Sequence, residues 1–247
     1  MTVATPEQET TAASTAAAQE KGKNAATRVL QVSMTFVWAI GSLFLSAGTF
    51  KWTRGWICIA LWALALPVVG LISQHYNPQL MKERAKWRRK DTKRFDKIFL
   101  AVYLPFILIQ PAVGGMDAAR YHWSAMSFGW VYLGAIVYFL AMALITWVLS
   151  ANPYAETSVR IQTDRGHTVV TTGPYRYVRH PMYVGAILMY VGMPLVWGSV
   201  WALAIAGVLA VLMIVRTALE DRTLCSELAG YEEYTARTRY RLIPGLW

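Results

Sequence analysis

The sequence predicts an all-α integral membrane protein of about six transmembrane helices, joined to a polar C-terminal region on the cytoplasmic side. Three observations carry this. Hydrophobic residues make up 55% of the 247-residue chain and charged residues 15%, against roughly 25% charged in an ordinary soluble domain. The apolar residues gather into long runs, several of membrane-spanning length. The basic residues fall almost entirely between alternate runs. A soluble fold with a mean hydropathy of +0.33 has too few polar groups to cover its surface. The two cysteines, Cys58 and Cys225, exclude an extracellular disulfide scaffold.

Residues 1–28 carry Ala, Thr, Gln, Glu and Lys without an aromatic side chain, the composition of a disordered tail. They lack the pattern of a signal peptide. The first apolar run covers 29–50, the second 55–73, the third 98–115 and the fourth 127–150. Pro105 and Pro111 are expected to kink the third. Residues 29–150 thus read as a four-helix membrane region. The run 183–215 has no charge and exceeds one span of roughly 20 residues. Pro194 and Trp197-Gly198-Ser199 supply a turn, which divides it into a close hairpin. One long tilted helix, giving five spans, is the competing reading.

With six spans, the tail, the 74–97 loop, the 151–182 loop and the C-terminus share one side. That side holds all of the 24 Lys and Arg except Lys51, Arg54 and Arg120. Both termini are therefore expected in the cytoplasm. The net charge of +10 is concentrated in the 74–97 loop, with Lys82, Arg84, Lys86, Arg88, Arg89, Lys90, Lys93, Arg94 and Lys97. Between flanking spans such a loop favours membrane lipid headgroups over nucleic acid. Cys58 falls in a span and Cys225 in the cytoplasm, so no disulfide is expected.

Residues 151–247 carry the chemistry, in three clusters. The first, from Arg160 to Tyr175, fits no amphipathic helix. Asp164-Arg165-Gly166 reads as a turn, and the rest as extended or irregular chain ending at Gly173-Pro174. It is either a solvated connection or a functional loop, and its length favours the second. The second cluster is Arg176-Tyr177-Val178-Arg179-His180-Pro181-Met182-Tyr183. Pro181 suits the first turn of a helix, which puts His180 at the cap beside free N–H groups. That is an anion site, with charge added by Arg179 and Arg176. Binding of lipid headgroups is an equally good reading of this cluster by itself. In the third cluster, Arg216 and Glu220 share a helix face where the last span leaves the membrane. An ordinary helix salt bridge is the plainer reading of that pair.

His75, His122, His167 and His180 have no cysteine partners at ligand spacing, so no metal site is expected. No GxGxxG or GxxxxGK[ST] occurs, against a dinucleotide fold or a P-loop ATPase.

Taken together the clusters resemble the isoprenylcysteine carboxyl methyltransferase family, itself similar to membrane phospholipid methyltransferases. The resemblance is carried by Gly173-Pro174-Tyr175-Arg176-Tyr177-Val178-Arg179-His180-Pro181-Met182-Tyr183-Val184-Gly185, then Glu220-Asp221 and Leu224. Gly230-Tyr231-Glu232-Glu233-Tyr234 and the ending Arg239-Tyr240-Arg241-Leu242-Ile243-Pro244-Gly245 complete it. The order matches the family's RHPxYxG…EE pattern, with the hairpin between its halves. Asp221 stands where the family usually has a second Glu, keeping the charge with a shorter reach. The resemblance implies S-adenosylmethionine as methyl donor. It implies cofactor contacts from Gln162, His167, Thr168, Val169, Val170, Tyr175, Arg179, His180, Pro181, Met182, Tyr183 and Glu220. It sets Arg216 toward a lipophilic methyl acceptor, with Arg216 and Glu220 as the catalytic pair.

The chemistry agrees with that assignment. The start of the helix at His180-Pro181 suits the cofactor carboxylate, and Glu220 suits its ammonium or ribose diol. Tyr175 and Tyr183 can pack on adenine or on the sulfonium, the latter as a cation–π contact. A carboxylate acceptor is already ionised near pH 7 and needs no general base, and Arg216 suits it through paired N–H donors. A lipid amine would have to lose a proton. A phospholipid or lipid-amine N-methyltransferase is the alternative acceptor class. A small transporter or a scaffold is the non-enzyme alternative, opposed by spans without Lys, Arg, Asp or Glu and by the intact Arg179, His180, Arg216 and Glu220.

Overall fold

The computed structural model describes Met34, residues 36–85 and residues 91–247. The 1–28 tail and the basic residues Lys86, Arg88, Arg89 and Lys90 lie outside the described residues. The chain divides into two units, Met1–Ala39 and Ile40–Trp247. In the first, the described residues are helical. The helices are α1 (Phe36–Ala47), α2 (Thr53–Tyr76), α3 (Pro78–Arg84), α4 (Arg94–Gly115), α5 (Gly129–Ala151), α6 (Pro181–Trp197), α7 (Val200–Glu227) and α8 (Tyr231–Arg237). No strand occurs among the described residues.

By length and composition, α2, α4 with its π-helical extension to Tyr121, α5 and α7 are each able to cross a membrane. The apolar helices α1 and α6 are shorter. The protein is an all-helical, multi-pass membrane protein. Its outward surface fits that environment: Leu45, Leu71, Tyr132, Ile136 and Val211 are among many large apolar side chains left exposed. Within the second unit α5 packs along α6, α4 against α7 and α2 against α5. One core joins Leu43, Cys58, Tyr138, Met193 and Trp197. A second joins Phe99, Tyr190, Leu209 and Met213.

The 183–215 run is two helices. They part at Gly198, whose φ of +80° lies in the left-handed region that strains any residue with a side chain. Ser199 Oγ then caps α7 by accepting the Ala202 N–H at 2.9 Å. The Ser199 hydroxyl in turn donates to Asp117 Oδ2 at 2.5 Å, and the Trp201 N–H reaches the same oxygen at 3.2 Å. This buried aspartate ties the hairpin to the end of α4. Pro105 and Pro111 both lie inside α4, which continues through them. Gln110 beside them donates to the carbonyls of Tyr190 and Ala202, at 3.1 and 3.2 Å. Those bonds hold α4 against the hairpin.

Candidate active site

Between α5 and α6 the chain has little regular structure. Turns at Thr163–Arg165 and Gly173–Arg176 are its only helical pieces, and Gly166 is left-handed at φ +62°, as the Asp164-Arg165-Gly166 turn requires. The segment is ordered by side chains instead. Arg160 bonds both oxygens of Glu156 at 3.0 Å and reaches Asp164 at 2.8 Å and Asp91 at 2.9 Å. The hydrogen bonds to Glu156 come first in holding the Arg160 guanidinium above its ordinary pKa. Gln162 donates to the Tyr154 carbonyl and accepts from Arg165, both at 2.7 Å. Both ends of its amide therefore serve the loop. The His167 ring lies against Tyr154, with centroids 4.5 Å apart, and burial lowers its pKa.

The start of α6 is fastened to α7 and to the C-terminal segment. The N–H groups of Arg179 and His180 donate to the carbonyls of Tyr240 and Arg241, both at 2.9 Å. Their side chains converge on Asp221, at 3.0 Å from Arg179 and 3.1 Å from His180. Tyr231 and Arg241 complete the set at 3.0 and 2.8 Å. The anion expected at this helix start is thus one the protein supplies. Arg176 is exposed and takes no part. Tyr175 is held at both ends: its hydroxyl accepts from Asn152 at 2.7 Å, and its carbonyl accepts from the Tyr234 hydroxyl at 2.7 Å. Burial pushes its phenol above the ordinary range.

Arg216 does not pair with Glu220. Its Nη2 lies 2.9 Å from Asp96 Oδ1 and donates to the Thr157 carbonyl at 2.8 Å. The guanidinium sits between the rings of Phe99 and Tyr183, 4.7 and 5.3 Å from their centroids. Arg216 Nε is buried with no partner among the described residues. Glu220 instead accepts the Tyr183 hydroxyl, and the Tyr183 ring lies parallel to that of His180 at 5.8 Å.

These groups surround one cavity of about 370 Å³, within the range of small-molecule sites. Gln162, His167, Thr168, Val169, Val170, Tyr175, Arg179, His180, Met182, Tyr183, Arg216 and Glu220 all line it. Pro181 does not: it is fully buried behind the wall. The lining has two chemical ends. Leu100, Ile145, Ala186, Met189 and Met213 from the membrane helices make the apolar end. The polar end fits S-adenosylmethionine in two respects. Glu220 accepts from the Tyr183 hydroxyl and makes no salt bridge among the described residues, which suits an ammonium. Among the described residues the backbone groups of Thr168, Val169 and Val170 have no protein partner, which suits the edge of a base. Sequence reasoning missed Arg84, Asn152, Tyr154, Glu156 and Thr157 on the lining and Asp96 beneath it. None belongs to a motif, and each arrives through long-range folding.

Residues 130–227 match the family model described as phospholipid methyltransferase, and the matched segment contains the Arg179-His180-Pro181 and Glu220-Asp221 motifs. The cobalt-zinc-cadmium resistance protein CzcN of Cupriavidus metallidurans is 36% identical over 81 residues. That match covers 32% of this chain and spans 37% of the relative's length. A solved structure of the eukaryotic intramembrane Ras methyltransferase ICMT (isoprenylcysteine carboxyl methyltransferase) is 18% identical, covers 88% of this chain and 86% of its own, and has a TM-score of 0.48.

Proposed function

We propose that the chain is an S-adenosylmethionine-dependent methyltransferase acting on a lipophilic acceptor, with the carboxylate of an isoprenylcysteine-like or isoprenoid acid fitting best. The observation that carries this is the single cavity with one polar and one apolar end. A polar cofactor and a greasy acceptor need such a site to meet. When bound, S-adenosylmethionine supplies a methyl group on positively charged sulfur, open to in-line attack by a nucleophile.

The residues divide the remaining work. Glu220 takes the ammonium, held in place by the Tyr183 hydroxyl. The backbone of Thr168, Val169 and Val170 meets the adenine. Arg216 lines the cavity and offers its guanidinium to an acceptor oxygen, while Asp96 and the Thr157 carbonyl fix it. Positioning of this kind contributes much of the rate of a displacement reaction. A carboxylate reaches such a site already ionised. An amine would first have to lose a proton. Since all but three Lys and Arg fall in the tail, the 74–97 loop, the 151–182 loop or the C-terminal segment, we take both termini and the site as cytoplasmic.

Detergent-purified protein tests the reading by calorimetry with S-adenosylhomocysteine and by methyl transfer to an S-prenylated N-acetylcysteine. Binding, with transfer to the free acid, is the expected result. Transfer to phosphatidylethanolamine alone would move the acceptor to lipid amines. No binding at all would overturn the methyltransferase reading.

A further inference from the structure

Most charged side chains on the cavity lining are matched within the protein. Arg179 meets Asp221, Arg216 meets Asp96, and Glu156 meets Arg160 and Arg165. Two lining residues form no salt bridge among the described residues, Glu220 and Arg84, although Glu156 acts on Arg84 and Arg216 on Glu220 at longer range. Arg84 ends α3, in the loop whose basic residues read from sequence as a lipid anchor. Its side chain turns inward instead, with Nη1 donating to the Ala155 carbonyl at 2.6 Å.

Two residues along, Arg216 holds the Thr157 carbonyl at 2.8 Å. The strap at 155–157 is therefore gripped by two guanidiniums that face one cavity. A guanidinium has five N–H donors, and Arg84 uses one of them. Burial, and after it the positive charge of Arg216, lower its pKa from the ordinary value. A partly buried cation beside a second cation is a poor arrangement until an anion joins it.

We propose that Arg84 is a carboxylate-binding residue of this cavity, the cationic counterpart of Glu220. Carboxylate and ammonium together are the amino-acid end of the cofactor. A carboxylate alone is the acid form of the acceptor. The inference rests on the methyltransferase reading, and the two sources separate by experiment.

The test compares wild type with Arg84→Met and Arg84→Lys. It measures affinity for S-adenosylhomocysteine, affinity for 5′-methylthioadenosine, which lacks the amino-acid group, and KM and kcat with the prenylated acid. Loss of one charge-assisted contact corresponds to about tenfold or more in affinity. If the cofactor carboxylate is bound, Arg84→Met weakens S-adenosylhomocysteine by that factor and leaves methylthioadenosine unchanged. If the acceptor carboxylate is bound, both nucleosides bind as in wild type and KM rises with kcat nearly constant. In either case Arg84→Lys recovers part of the loss. Equal weakening of both nucleosides would reduce Arg84 to a pin for the strap and overturn the proposal. So would wild-type values throughout, with wild type itself binding cofactor. A wild type that binds neither nucleoside would overturn the methyltransferase reading and this inference with it.

Discussion

Asp221 Oδ1 lies 3.1 Å from His180 Nε2, joining α7 to the start of α6 across 41 residues of sequence. With Arg179, Tyr231 and Arg241 on the same carboxylate, this contact makes the second acid of the Glu220-Asp221 pair structural. Glu220 is then the one that lines the cavity. The shorter Asp suits the inner position, because it must meet four donors at once within a packed core.

Asp221→Asn is therefore expected to destabilise the protein by about 3–5 kcal/mol, since it leaves the buried Arg179 without its counter-charge. Arg241→Met is expected to cost about 1 kcal/mol or less, because that side chain is 34% exposed. Thermal unfolding in detergent measures both. Equal midpoints for Asp221→Asn and wild type would refute the role given to this carboxylate.

Glu220→Gln and Arg216→Met should separate in their effects. The first removes the charge for the cofactor ammonium, so S-adenosylhomocysteine affinity falls. The second leaves cofactor affinity intact and lowers turnover, by about tenfold for each 1.4 kcal/mol of lost transition-state stabilisation. Arg216→Met also strands the fully buried Asp96, so its stability falls. The double variant Arg216→Met/Asp96→Asn should recover stability but not turnover. Recovery of both would reduce Arg216 to a structural partner of Asp96.

Gly173→Ala should damage the site without touching a ligand. Gly173 has φ +60°, and an added Cβ would lie 2.9 Å from the Ala151 Cβ. The combined strain is about 1–3 kcal/mol. It falls on the turn that presents Tyr175, so cofactor affinity should drop together with the unfolding midpoint. Wild-type affinity would show that the turn accommodates the methyl group.

His167 gives a pH dependence. Burial lowers its pKa, helped by Arg160 and Arg165 and opposed by Glu220 and Glu156. A base with a depressed folded pKa adds no penalty above its unfolded value of about 6.5, and an increasing one as pH falls below it. Stability should fall as pH drops below about 6.5, and His167→Gln, which cannot charge, should lose less there. Parallel profiles for the two proteins would assign the acid sensitivity elsewhere.

A reporter enzyme active only outside the cytoplasm, fused to the C-terminus, should stay inactive. Activity would reverse the orientation drawn from the basic residues.

The helical membrane class, the division of the last apolar run at Gly198-Ser199 and the turn at Gly166 were all legible in the sequence. Each rests on a local property: apolar length, a left-handed glycine or a capping serine. The motif residues were legible for another reason, since Arg179-His180-Pro181 and Glu220-Asp221 stand in an order that a family shares. Their chemistry was less legible. The cap at His180 announced an anion, and nothing local distinguished a ligand's carboxylate from that of Asp221.

Chain order and hydropathy alone determined that membrane helices carry a polar C-terminal region with its chemistry at one face. Only the tertiary structure decided which charges are matched inside and which face the cavity. Arg216 pairs with Asp96 rather than with Glu220, its neighbour on the helix, and Arg84, at the end of α3, lines the cavity. The reason is physical. Helix periodicity specifies which residues share a face, but charge pairing inside a protein is settled by which groups lose their water together. That depends on how α3, α4, α7 and the 151–182 loop pack.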